Sequence, residues 1–195
     1  MVTKKILIWC LVSLGTLIMS ACKNDKSSSS ERESLSQALA KYDEFSNFSG
    51  GLAKVSKDGK LGFIDKTGKE VIPCIYSFIY EDYNPLYEGF AVRIDDKNTG
   101  AVNMGFVDKM GKEIVPCTYD LVMKNEDFGV DDLILIFVIK HSEDERAFYG
   151  AFDKNGKEVI PCIYSSSELQ QKIAEIRKEG KYNSDKIKYK YTFKE

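Results

Sequence analysis

Histidine, tryptophan and proline are scarce in this chain: its 195 residues include one histidine, one tryptophan and four prolines. The single histidine, His141, stands in a polar stretch with Glu143, Asp144 and Glu145 and reads as part of a solvated loop. A catalytic triad or a metal centre needs partners at set spacings, and neither Gly-x-Ser-x-Gly nor His-Glu-x-x-His occurs. Close Cys-x-x-Cys pairs are missing as well, which argues against zinc and thioredoxin-like sites. Nor is there an excess of one charge. With 28 Lys and Arg interspersed among 30 Asp and Glu, the formal net charge is −2, and the basic stripe of a nucleic-acid binder is absent.

What the chain does have begins at its start. Lys4 and Lys5 precede an apolar run from Ile6 to Met19, too short for the roughly 20 residues of a membrane span, and Met19-Ser20-Ala21-Cys22 closes it with small residues. Residues 1–21 therefore read as a cleaved signal peptide. The closing tetrad resembles the lipobox of bacterial lipoproteins. That resemblance implies that Cys22 becomes an acylated first residue carrying fatty chains such as palmitate, with the protein held on a membrane of the cell envelope. Each buried methylene is worth about 0.8 kcal/mol, so two or three chains anchor firmly. Lys23 in place of aspartate favours the outer membrane under the same resemblance. An ordinary secretory signal whose cleavage site happens to precede a cysteine is the alternative. Residues 22–32, with Ser27 to Ser30 and nothing apolar to bury, read as a polar tether. Loss of the signal removes two lysines and no acid, taking the net charge from −2 to −4.

The second feature is self-similarity. Gly62-Phe63-Ile64-Asp65-Lys66-Thr67-Gly68-Lys69-Glu70-Val71-Ile72-Pro73-Cys74-Ile75-Tyr76 recurs, nearly unchanged, over residues 105–119 and 150–164. Within each copy, Asp-Lys-x-Gly predicts a type I turn with a glycine bulge between two short apolar strands. Pro73, Pro116 and Pro161 cannot donate to a ladder, so the second strand should be an edge strand or be bent or bulged. A looser apolar strand precedes each copy, at residues 51–55, 89–94 and 133–139, the last apolar on both faces and expected to be the most buried. Each unit thus reads as a three-stranded antiparallel meander. The motif resembles the WG, or KWG, repeat, although Leu61, Met104 and Tyr149 hold the place of its tryptophan and Trp9 lies in the signal. The resemblance implies a structural or interaction scaffold and brings no catalytic residues.

The fold class expected is mainly β: an array of three β-meander repeats over residues 48–164 with short capping helices and a final strand. Leu35, Leu39 and Tyr42 share a helical face, predicting a cap within residues 33–47. The Ser165-x-x-Glu168 capping box, the stripe Leu169, Ile173, Ile176 and the stop at Gly180 predict a second helix in the cap of residues 165–195. Alternation from Ile187 to Phe193 predicts the last strand.

Candidate sites follow from the repeats and the loops. Cys74, Cys117 and Cys162 occupy one repeat position and read as a metal or redox set or, more simply, as small buried apolar residues. The acidic pairs Glu81-Asp82, Asp95-Asp96, Glu126-Asp127 and Asp131-Asp132 suit calcium or a glycosidase pair, or merely line loops. Between Tyr76 and Tyr87 four tyrosines stand in what reads as a long loop, and Tyr80, Tyr83 and Tyr87 form a ligand surface or cap the edge of the β core. Two functions of different class remain. One is a lipid-anchored, non-catalytic module that binds a protein or a glycan, with no cofactor and no nucleic acid. The other is an envelope hydrolase using acidic loop residues as acid and base, which requires two carboxylates converging in a pocket.

Overall fold

The computed structural model describes residues 25–84, 88–123 and 133–180. Its regularity begins at the turns. The carboxylate of Asp65 accepts the backbone N–H groups of Thr67 and Lys69, at 2.8 and 3.1 Å, and Gly68 completes the bulge at φ 83°. Asp108 and Asp153 bind the corresponding amides, with Gly111 and Gly156 at φ 83° and 89°. An L side chain at these glycines would be strained, so the motif fixes three identical reversals.

Four strands, rather than the expected three, line up around each turn. The first sheet is β1 (Glu44–Phe45), β2 (Leu52–Lys57), β3 (Lys60–Asp65) and β4 (Glu70–Tyr76), antiparallel and in chain order. The second is β5 (Phe78–Asn84), β6 (Gly89–Asp95), β7 (Val102–Asp108) and β8 (Glu113–Tyr119). The third is β9 (Leu121–Met123), β10 (Ile136–His141), β11 (Ala147–Phe152) and β12 (Glu158–Tyr164). The added strand arises because the chain does not turn after the repeat tyrosine. It crosses a corner of one residue and enters the next sheet. Ser77 N–H donates to Arg93 O at 2.7 Å and its hydroxyl accepts Asp95 N–H at 3.0 Å. Asp120 does the same with Ile139 O and His141 N–H, and Asp43 with Ser56 O and Asp58 N–H. The segment expected as a loop after Tyr76 is therefore largely strand β5.

Helix α1 (Asp25–Leu39) packs Leu35 and Leu39, with Tyr42, on Ala53, Val55 and Ile64 of the first sheet. The face is as expected, but the bounds are shifted. The helix stops at Leu39, because Asp43 is already the first corner, and it starts inside the expected tether. Once its packed turns are nucleated, extension through serine costs only a few tenths of a kcal/mol per residue. Helix α2 (Ser166–Glu179) follows the expected pattern: Glu168 accepts the Ser165 backbone N–H at 2.8 Å and its hydroxyl at 2.6 Å, Leu169, Ile173 and Ile176 are buried, and the helix ends at Gly180. Ser165 occupies the corner position after the third repeat tyrosine. With no fourth sheet to join among the described residues, it caps a helix instead. The strand expected at residues 187–193 lies outside the described residues.

Four apolar clusters run through the stack. The α1 layer meets the first sheet; Phe63, Ile72 and Tyr76 of that sheet meet Phe90, Val92 and Val107 of the second. Phe106, Ile114 and Val115 of the second meet Ile134, Ile136, Val138 and Phe152 of the third, and Leu133, Leu135 and Phe137 face α2. Residues 133–138 thus alternate between two cores, as expected of a strand apolar on both faces. No helix among the described residues is long and apolar enough to cross a membrane.

Candidate functional site

The repeat glycine and proline act together. Strands β4, β8 and β12 lie at sheet edges, and their pairing with β3, β7 and β11 slips in register, so the prolines sit where a ladder bond is dispensable. At the slip the two backbones close in. A Cβ on Gly62 would stand 2.9 Å from Cys74 N; on Gly105, 2.6 Å from Val115 O; on Gly150, 2.8 Å from Ile160 O. Only glycine fits. The cysteine beside each slip is half-buried and free, with Cys162 Sγ 3.3 Å from Phe148 O. Burial pushes all three thiols up, Cys117 to about 11 with help from the Glu113 charge. Each thiol belongs to a recurring seam between units. Glu70 accepts the Tyr42 hydroxyl at 3.3 Å, and Glu70 with Cys74 raises that phenol beyond the effect of burial. Glu113 with Cys117 does so for Tyr76, and Glu158 with Cys162 for Tyr119, both phenols being pushed up to about 12 mainly by burial. The cysteines are thus packing residues of an inter-unit seam. No cluster of metal-ligating side chains occurs among the described residues.

A cavity of about 490 Å³ opens between the first and second sheets, within the size range of small-ligand sites. Its apolar wall is Leu52 with Phe63 and Phe90, whose rings stack at 4.7 Å and 18°. Its rim is polar. Ser46 and Asn47 come from the segment between β1 and β2, Lys54 from β2, and Lys109 from the second Asp-Lys-x-Gly turn, where it pairs with Glu88 at 3.2 Å. The cavity thus sets aromatic faces beside amide, hydroxyl and ammonium groups. Phe63 and Phe90 were legible only as core residues. That one side of their contact stays open depends on the neighbouring sheet, which no single repeat encodes.

The expected site residues are dispersed. Tyr80 is 37% exposed on β5, its ring edge-on to Phe78 at 4.8 Å, and Arg93 lies over Phe78 while forking to Asp95. Tyr83 lies in β5, but its side chain and Tyr87 are outside the described residues, as is Cys22. Tyr76 is core, at 5% exposure. His141 is the last residue of β10 rather than a loop residue, with Nδ1 3.0 Å from Asp120 Oδ2. Burial acts to raise the Asp120 carboxyl, but the backbone N–H and ring of His141 outweigh it and hold the group below its ordinary value. Of the acidic pairs, Glu81-Asp82 lies on β5, Asp95 forks to Arg93, and Asp96 caps its own turn through Asn98 N–H. The pairs at 126–127 and 131–132 lie outside the described residues.

The WG-containing repeat family model matches residues 39–60, 62–97, 104–135 and 149–182, more than half of the chain. No curated protein and no solved structure matches. The positions that hold the tryptophan's place are each paired across the ladder with a repeat tyrosine: Leu61 with Tyr76, Met104 with Tyr119, Tyr149 with Tyr164. A large side chain thus stands across the ladder from a tyrosine in all three units, with Leu, Met or Tyr in the place of the indole. From its turns, its slipped edge strands and its four matched segments, the chain belongs to the family of WG-containing repeat proteins.

Proposed function

We propose that this protein is a non-catalytic binding module, anchored through acyl chains on Cys22 in the bacterial cell envelope, at the outer membrane, and that it holds a protein or glycan ligand in the groove between its first two sheets. The observation that carries the reading is the groove's composition: stacked aromatic rings walled by Ser46, Asn47, Lys54 and Lys109. The carboxylates support it. Of the acidic loop pairs, Asp95 is engaged with Arg93 and Asp96 with the Asn98 backbone amide. A hydrolase needs such groups free to exchange protons with a substrate.

Two experiments test this. Cross-linking in intact cells followed by mass spectrometry of the membrane-purified protein should recover a ligand, and Asn47→Ala with Lys54→Ala should lose it while the melting temperature stays within a degree or two. Recovery unchanged by these substitutions would move the site elsewhere. For the anchor, Cys22→Ser should abolish fatty-acid labelling and release the protein from membranes; persistent labelling would remove that part of the proposal.

A further inference from the structure

Each of the three sheets has two edges, and all but one of the six are guarded. Strands β4, β8 and β12 carry Pro73, Pro116 and Pro161, and β1 and β9 are only two and three residues long. Proline and shortness both keep a sheet edge from pairing with another chain. Strand β5 has neither. It is seven residues long, contains no proline and pairs only with β6 among the described residues. Its register with β6 is regular over Phe78, Ile79 and Tyr80 and resumes at Asn84.

The two sides of this edge differ in polarity. Ile79 packs into the core shared with the first sheet, so Phe78 and Tyr80 point the other way, where they are 45% and 37% exposed. On the inner side β4 faces β6 and β3 faces β5, so a strand added outside β5 would lie over β2 and β1. There the first sheet is polar. Leu61 packs on the inter-sheet core, and the residues across the ladder from it, on the same face, are Ser56 and then Glu44. An incoming strand therefore needs an apolar face level with Phe78 and Tyr80 and a polar, basic face over Glu44. Glu81 and Asp82, on β5 itself, add to the demand for positive charge.

We infer that this edge takes residues 186–194 of a second copy of the chain as a fifth strand. That segment lies outside the described residues, and its sequence has the required pattern. Ile187, Tyr189, Tyr191 and Phe193 alternate with Lys186, Lys188, Lys190 and Thr192, with no acid among them. In an extended chain the two sets fall on opposite faces. Backbone bonds along the edge supply affinity, and the alternate side chains fix the register. The donor is a second copy because the chain's own tail is too short. Helix α2, which ends at Gly180, covers the outer face of the third sheet, about two layer spacings of roughly 10 Å from the second. From Gly180 to Lys186 a fully extended chain reaches about 21 Å, which leaves nothing for the path around the third sheet. The inference goes beyond the groove reading and does not depend on it.

The test is photo-crosslinking of the full-length protein, in non-ionic detergent, with Tyr191→p-benzoylphenylalanine. Irradiation should give a covalent pair of chains on a denaturing gel, and peptide mass spectrometry should join position 191 to residues 78–84. Lys188→Glu with Lys190→Glu should lower the yield at least about threefold, as for the loss of exposed ion pairs, and Phe78→Ala with Tyr80→Ala should do the same. The lysine substitutions leave the described sheets unaltered, so the test stands if the aromatic variant fails to fold. Products of single-chain mass only, a link to any other part of the chain or to another protein, or a yield unchanged by the lysine substitutions overturns the inference.

Discussion

The two sheet-to-sheet interfaces are made from the same motif and end differently. Between the second and third sheets, Ile134, Ile136 and Val138 press on Phe106, Ile114 and Val115, and Phe152 adds a ring against Tyr119 at 5.8 Å. Between the first and second, the corresponding strand β6 brings Phe90 and Val92, and a cavity remains beside the stacked Phe63 and Phe90. The repeat itself supplies nearly the same side chains to both. What differs is the looser strand that precedes each copy, so the variable part of the unit sets how the space at each seam is filled. The recurring turn and slipped strand hold the layers in place in both seams.

The sharpest way to break this comparison is to truncate each side. Ile136→Ala, in the interface between the second and third sheets at 2% exposure, should cost about 2–5 kcal/mol in urea denaturation, because a buried side chain leaves a cavity. Leu52→Ala on the half-buried groove wall should cost about 1 kcal/mol, since less apolar surface is involved. Equal losses would mean that the groove is as tightly packed as the other seam.

Alkaline titration comes next in size and probes what the two seams share. Tyr76 and Tyr119 are raised from 10.0 to about 12, and Cys117 from 9.0 to about 11, so the fold favours their neutral forms. The unfolded chain gives up these protons at lower pH. Their contribution is complete below about pH 9 and falls away as the pH rises from 9 to 12. Tyr76→Phe and Tyr119→Phe should each remove a similar share of that loss in thermal melts. A response confined to Tyr119→Phe would show that the open seam leaves its tyrosine solvated.

The smallest effect concerns the end of the array. Ser165→Ala removes the hydroxyl bonded to Glu168 and should cost about 1 kcal/mol, leaving the groove's ligand affinity unchanged. A larger loss would mean that α2 supports more than the third sheet.

Local chemistry made much of the fold legible. The three Asp-Lys-x-Gly turns, the edge position of the proline strands and the α2 cap were all readable because each depends on residues within one short segment. The strand β5 was missed because four tyrosines among acids and a proline mask the alternation of Phe78, Ile79 and Tyr80. Tyr42-Asp43 was read as helix because its partner in the repeat pattern lacks the preceding turn. The groove was not legible at all, since its walls are contributed by β1–β2, β3, β6 and the second turn.

The sequence by itself determined that this is a β-repeat protein: the glycine, proline and aspartate of the motif restrict the backbone so strongly that the turn and the slipped strand form wherever they occur. Only the tertiary structure decided that the tyrosines of the first two repeats lead through a one-residue corner into the next sheet, and that a cavity remains between the first two sheets. Those outcomes depend on which layer covers which face, and that is fixed by side chains tens of residues apart meeting in the stack.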